Sequence, residues 1–411
     1  MKLHRPLFFQ IMTALKQIFG LEGERGFHAD KVIERLFQTN RKLGARDRRF
    51  IAEAVYDIVR WWRLLAFCAD VDESTIQDDA DLWRIVGAWL LISKREAPDW
   101  PEFAALDRKK ILSKRESANA LPAVRESVPD WLYALGLKEL GESKWHEVLA
   151  QSNHQAPVVL RANRLKIVRE ELQRELSREG IETVYAPGTT DGLILKERKN
   201  VFTTESFKKG YFEVQDGASQ QAAVKLDPQP GERVIDACAG AGGKSLHIAA
   251  LMGNKGKVIA LDVHANKLAE LRKRASRAGA DIIETRLIES TKVIKRLEKS
   301  ADRVLLDVPC TGLGVLRRNP DTKWKLTPEE VKRLHSTQKE ILSSYARMLK
   351  PGGRLVYATC SILPSENSKQ VELFLAEHSD EWSLVEQIQH WPDENGYDGF
   401  YIAVLERRKE G

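Results

Sequence analysis

A chain of 411 residues exceeds one ordinary hydrophobic core, so two or three domains are expected. Its 43% apolar and 30% charged residues are a globular composition, with no run of about 18 uncharged apolar residues to mark a membrane span. Net charge is +6 and the pI about 8.9, a basic excess compatible with a polyanionic partner. The stretch Met1 to Gly20 mixes charges among its apolar residues and has no small-residue cleavage site, so no secretory leader is expected. The four cysteines, at 68, 238, 310 and 360, lack metal-ligand spacing. A reduced, cytoplasmic, metal-free protein is the expectation.

Residues 1–145 read as a helical domain. Apolar residues recur every three or four positions in Phe8–Ile18, Val32–Phe37, Phe50–Leu65 and Leu82–Leu91. Asp30 stands where an N-cap would open the second of these helices. Arg35, Arg41, Lys42, Arg46, Arg48, Arg49, Arg60 and Arg63 interleave with Tyr56, Trp61 and Trp62. Such a mixture suits RNA, and equally a solvated helix face over core aromatics.

Over 146–219 short apolar runs at Val158–Leu160, Val184–Tyr185, Leu193–Leu195 and Tyr211–Val214 surround a helical stretch at Ile167–Leu176, which predicts a small α+β module. Arg161, Asn163 and Arg164, near its start, suit either RNA contact or a structural cap.

From 220 to 411 strand-like runs (Arg233–Cys238, Lys257–Leu261, Arg303–Asp307, Arg354–Thr359) alternate with helical periods at Lys244–Leu251, Ala265–Ala278, Pro328–Leu349 and Glu366–His378. Alternation of this kind predicts an α/β, doubly wound, Rossmann-like sheet with ligands at the carboxyl ends of its strands.

The first of these strands runs into a glycine-rich turn, DACAGAGGKS at 236–245, and Asp262 closes the second strand. A P-loop would need glycine where Cys238 stands, and a dinucleotide fingerprint would need glycine in place of Ser245. One acidic residue leading the turn and another ending the next strand suit S-adenosylmethionine, with Asp262 accepting from the ribose hydroxyls.

Two further strand ends carry cysteine: Cys310 in DVPCTG, after Asp307, and Cys360 in YATCS. A lone strand-end cysteine is more often a small buried hydrophobe than a nucleophile. Two at the cofactor edge, one of them beside an aspartate, point to chemistry. C5 of cytosine cannot take a methyl directly; a thiolate adding at C6 makes C5 enamine-like. Asp307, with a raised pKa, suits the acid on the N3/N4 side. Lys244 and the cofactor's sulfonium would favour the thiolate. The DVPC segment disfavours transfer to an exocyclic amine, which goes with a DPPY-like segment.

At these residues the chain resembles the RsmB/NOP family of RNA cytosine-C5 methyltransferases. The resemblance runs through VQDGASQ, DACAGAGGKS, LDVHANKL, DRVLLDVPCTGLGVLRRNPDTKW, GGRLVYATCSILPSENSKQV and DGFYIAVL, and covers residues 210–406. The segment ADKVIERLF and LGARDRRFIAEAVYDIVRWWRLL resemble the NusB-like RNA-binding domain of the bacterial rRNA enzymes. The resemblance implies Cys360 as nucleophile and Cys310 as promoter of product release, with Asp307 at the target base. It also implies cofactor contacts from Ala237, Cys238, Ala239, Gly240, Ala241, Gly242, Gly243, Lys244, Asp262, Lys267, Glu289 and Asp307. The family's usual Ala-Pro is here Gly240-Ala241, and its Gly-Asp after the third strand is absent, leaving Glu289 or Ile288 on the adenine side. The implied substrate is RNA, with 16S rRNA favoured over tRNA or 23S rRNA. A non-catalytic ribosome-assembly factor on the same fold is the competing reading.

Overall fold

The computed structural model describes residues 4–409 apart from 22, 24–25, 74, 77 and 394–396. Residues 1–3, the start of the stretch read above for a leader, lie outside them. The chain divides into two compact units. One comprises Met1–His154 with Leu316–Thr327; the other comprises Gln155–Val315 with Pro328–Gly411.

The first unit is helical. In Arg5–Phe19 the buried Leu7, Phe8, Ile11, Leu15 and Ile18 follow the helical period that predicts them. The expected Phe50–Leu65 helix is two helices, Ala45–Arg60 and Trp62–Ala69. Trp61 leaves the helical region between them, at φ −104° and ψ 19°. Nor does Asp30 cap its helix: Ala29–Thr39 starts after His28, and Asp30 sits in the first turn, where its charge suits the helix dipole. The Ala29 amide instead donates to Asp321 Oδ2 at 3.2 Å, which also lies 3.1 Å from His28 Nδ1.

Much of the basic and aromatic stretch is structural. Trp62 is buried and stacks on Phe19 with ring centroids 3.9 Å apart. Buried Arg60 donates to the carbonyls of Ser152, Leu316 and Arg317. Arg63 donates to Val128 O and pairs with Asp130. Arg35, Arg41, Lys42, Arg46 and Arg49 remain exposed.

The second unit holds two sheets. The smaller is antiparallel, in the order β2-β3-β1-β4, with β1 at Val159–Ala162, β2 at Thr183–Tyr185, β3 at Gly192–Leu195 and β4 at Phe212–Val214. Helix Arg169–Arg178 buries Leu172 and Leu176 in that module's core. Here Arg161 and Asn163 are supports rather than surface contacts. Asn163 Nδ2 reaches the carbonyls of Gly210 and Ala278, and Arg161 Nη1 donates to Gly243 O at 2.8 Å. Partly exposed Arg164 pairs with Asp191 at 2.6 Å.

The larger sheet has seven strands in the order β10-β11-β9-β8-β5-β6-β7. They are β5 (Arg233–Asp236), β6 (Lys257–Asp262), β7 (Ile283–Leu287), β8 (Ala301–Asp307), β9 (Leu349–Thr359), β10 (Trp382–His390) and β11 (Phe400–Arg407). Strands β5 to β9 run parallel, while β11 and β10 extend the sheet antiparallel beyond β9. The chain leaves β5 toward β6 and β7, then returns to lay β8 and β9 on the other side. That reversal between β5 and β8 is where doubly wound sheets bind their ligands. The fold is the α/β one expected from the alternation. Strands β7, β10 and β11 were not among the predicted elements.

Candidate active site

The carboxyl ends of β5, β6, β8 and β9 bring the predicted residues to one edge. After β5 the turn is pinned from behind: Ala237 N donates to Leu305 O at 3.0 Å and Ala239 N to Leu261 O at 2.9 Å. Gly242 has φ +86°, and a Cβ there would drive into Leu271 Cγ at 2.3 Å, so only glycine lets helix Gly243–Leu251 begin here. Gly240, at φ +54°, has no atom within 4 Å of where a Cβ would stand, which leaves space open beside the turn. Arg274 Nη1 holds Ala241 O at 2.8 Å, as Arg161 holds Gly243 O. Both arginines were missed as site supports, because their partners lie 33 and 82 residues away.

Asp262, at the end of β6, accepts from Gly240 N through Oδ2 and from His264 N through Oδ1, each at 2.8 Å. Each oxygen keeps a further lone pair, so the carboxylate can still accept from a ligand hydroxyl. Asp236 is buried, and Ser245 Oγ donates to it at 2.6 Å. Burial dominates and pushes its carboxyl up to about 7. The Cys238 thiol is raised well above the usual range by burial and by the charges of Asp236, Asp307 and Asp262. Lys267 and Glu289 are exposed, one in the first turn of Ala265–Ala278 and the other just past β7. Ile288 N donates to Asp262 O at 2.9 Å.

At the end of β8, Asp307 does not stand alone. Lys244 Nζ donates to its Oδ2 at 2.6 Å. Burial works against the ammonium, but Asp307, with Cys360 and Asp236, outweighs it and holds the Lys244 pKa above its ordinary value. Asp307, expected to act as an acid, is thus paired with the Lys244 ammonium.

The two thiols meet: Cys310 Sγ lies 3.3 Å from Cys360 Sγ. The hydrogen bond to Cys360 and then burial raise Cys310 well above the ordinary thiol range, with Cys360 and Glu366 charges adding to the effect. The two sulfurs are close enough to share a hydrogen bond, in which either can donate. The loops are tied closely, since Gly314 N donates to Cys360 O at 3.0 Å and a Cβ on Gly314 would strike Gly399 O at 2.1 Å. Beneath them lies the buried carboxylate of Glu366, which sequence reasoning also missed. Its place six residues after Cys360 was the available signal.

Comparison with known proteins fits this geometry. Residues 223–406 match the profile of the 16S rRNA methyltransferase RsmB/F family, and residues 128–202 match its ferredoxin-like domain. A probable ribosomal RNA small subunit methyltransferase B of Synechocystis is 32% identical over 94% of this chain and 96% of its own length. This chain belongs to the RsmB/F methyltransferase family. Ribosomal RNA small subunit methyltransferase B of Shewanella oneidensis is 37% identical over 70% of this chain and 69% of its own. Among solved structures, PH0851 superposes with a TM-score of 0.81 at 27% identity, over 99% of this chain and all of its own. As a member of this methyltransferase family, the chain takes its methyl group from S-adenosylmethionine. The open turn and the free lone pairs of Asp262 fit that cofactor. Among the described residues no helix is long and apolar enough to cross a membrane.

Proposed function

We propose that this protein methylates C5 of a cytosine in RNA, with 16S rRNA as the substrate, and that Cys360 is its covalent nucleophile. The observation that carries the reading is the thiol pair at 3.3 Å beside the Lys244–Asp307 ion pair. S-adenosylmethionine supplies an electrophilic methyl on a sulfonium, held by the 237–244 turn with Asp262 on the ribose.

The remaining chemistry falls to the chain's own residues. Cys360 loses its proton to solvent base, and Cys310 stays a thiol that donates to the resulting thiolate, leaving the nucleophilic lone pair on Cys360. The Cys360 thiolate forms a bond to C6 as the C5–C6 π pair shifts toward N3. The Lys244–Asp307 pair supplies the proton on that side. C5, now enamine-like, is the carbon that accepts the methyl, and N3 returns its proton to the Lys244–Asp307 pair. Cys310 promotes the last step, in which the C5 proton is lost to base and the S–C6 pair returns to Cys360. Two neighbouring cysteines that must stay unlinked suit a reducing compartment, the cytoplasm.

The 16S assignment rests on the family and on relatives named for the small-subunit RNA. Cys360→Ala should abolish methyl transfer to 16S rRNA while leaving the cofactor Kd within about threefold. Turnover retained in that variant contradicts the nucleophile assignment. Methylation of tRNA or 23S rRNA in preference to 16S rRNA contradicts the substrate.

A further inference from the structure

Glu366 stands just ahead of helix Ser368–Glu377, in the loop that leaves β9, and is fully buried. Its carboxylate ends where the two cysteine-bearing loops meet. Oε1 accepts from Thr311 N at 2.9 Å and from Gln338 Nε2 at 2.9 Å. Oε2 accepts from Thr311 Oγ1 at 2.5 Å and from Ser361 Oγ. Thr311 follows Cys310, and Ser361 follows Cys360. Gln338, on helix Pro328–Tyr345, uses the same amide to hold Pro309 O at 3.0 Å, on the other side of Cys310. The backbone of Glu366 is fixed in turn, since its carbonyl accepts from Tyr357 OH at 2.7 Å.

Four donors converging on one buried carboxylate match an acceptor-only group. No lysine, arginine or histidine bonds to it among the described residues. A buried charge held only by neutral donors is costly unless each bond is made. Here all four bonds go to the flanks of the two thiols or to the side chain that steadies one of them. A simple fold-stabilising role could be filled by apolar packing, which would give neither loop a fixed register.

We infer that Glu366 is a positioning residue, the brace that sets Cys310 and Cys360 at reacting distance by holding both of their loops. The inference rests on the reading of Cys360 as nucleophile. The Gly314 N to Cys360 O bond joins the two loop backbones, while Glu366 fixes the residues next to each sulfur, where small misplacements of reacting groups are expensive.

The test measures covalent adduct formation between the full-length protein and a 16S rRNA fragment in a Cys310→Ala background, where release is blocked. Adding Glu366→Met, which keeps the bulk and removes the acceptors, should slow adduct formation about a hundredfold while the S-adenosylmethionine Kd stays within about threefold. Glu366→Gln should recover most of the rate, to within about tenfold of the parent, because one amide oxygen still accepts and the two hydroxyls can turn to accept from its NH2. Should Glu366→Met fail to fold, Gln338→Met cuts one strut alone and should slow the adduct by about tenfold. An unchanged rate in either methionine variant, or a glutamine variant as slow as methionine, overturns the brace. Absence of adduct in the Cys310→Ala parent contradicts instead the nucleophile reading on which the brace depends.

Discussion

Within the thiol pair the proposed division of labour is electrostatic. Cys310 is half-buried, bonded to Cys360 and within reach of the Glu366 charge, so ionising it is costly. In the proposed mechanism the proton of the pair stays on Cys310, between proline and threonine, and the TCS cysteine attacks. Asp262 is a second residue whose role is set by what it already holds. Replacing it with asparagine would turn an amide NH2 toward Gly240 N or His264 N, both of which now donate to the carboxylate. Asp262→Asn should raise the S-adenosylmethionine Kd at least about tenfold, or 1.4 kcal/mol, by calorimetric titration. A Kd within twofold of wild type removes Asp262 from the cofactor site. Cys310, Cys360, Asp262 and Lys244 were visible in the sequence because each sits at a strand end or helix start in a recognisable segment. Glu366 and Arg274 were not, nor was the bond from Arg161 to the glycine-rich turn, because a hydrogen-bond partner across tens of residues leaves no local pattern. The pairing of Lys244 with Asp307, 63 residues apart, was not foreseen for the same reason.

Among elements, the periodic ones were readable and the boundaries were not. Ala265–Ala278 begins and ends where its apolar spacing predicts. Strand β7 escaped because its residues are all half-buried, with charges at Glu284 and Arg286 and no apolar run. Trp61 broke a predicted helix with no glycine or proline to announce it. The start of Ala29–Thr39 shows tertiary structure replacing a local signal, since the carboxylate at its first amide comes from Asp321, 292 residues on. Asp321 is buried and also sits 3.8 Å from Lys325 Nζ. Asp321→Ala should cost about 1–2 kcal/mol in urea unfolding, as lost caps do. A variant as stable as wild type would show that His28 and the dipole suffice to open this helix.

For the whole molecule, the pH range of stability follows from buried groups that cannot ionise in place. His247 is 2% exposed, on the helix that follows the glycine-rich turn. Burial, then the charges of Arg161 and Arg164, depress its pKa well below the ordinary value of 6.5; Asp191 Oδ2, at 3.9 Å, does not restore it. The folded state thus binds no proton at His247 where the unfolded chain does. Its contribution is fully present above the unfolded pKa and is lost as pH falls below it. Between pH 7.5 and 5.5 the wild type should lose about 1.4 kcal/mol more than His247→Leu, measured by denaturant unfolding at each pH. Parallel losses in the two proteins would place the acid sensitivity elsewhere.

Which sulfur carries the base decides the mechanism. Cys310→Ala protein should be incubated with S-adenosylmethionine and a 16S rRNA fragment, denatured, digested and sequenced by mass spectrometry. The proposed mechanism predicts a methylated cytidine joined through C6 to Cys360. A nucleotide attached to any other residue, or none attached while Cys360→Ala still turns over, would contradict it.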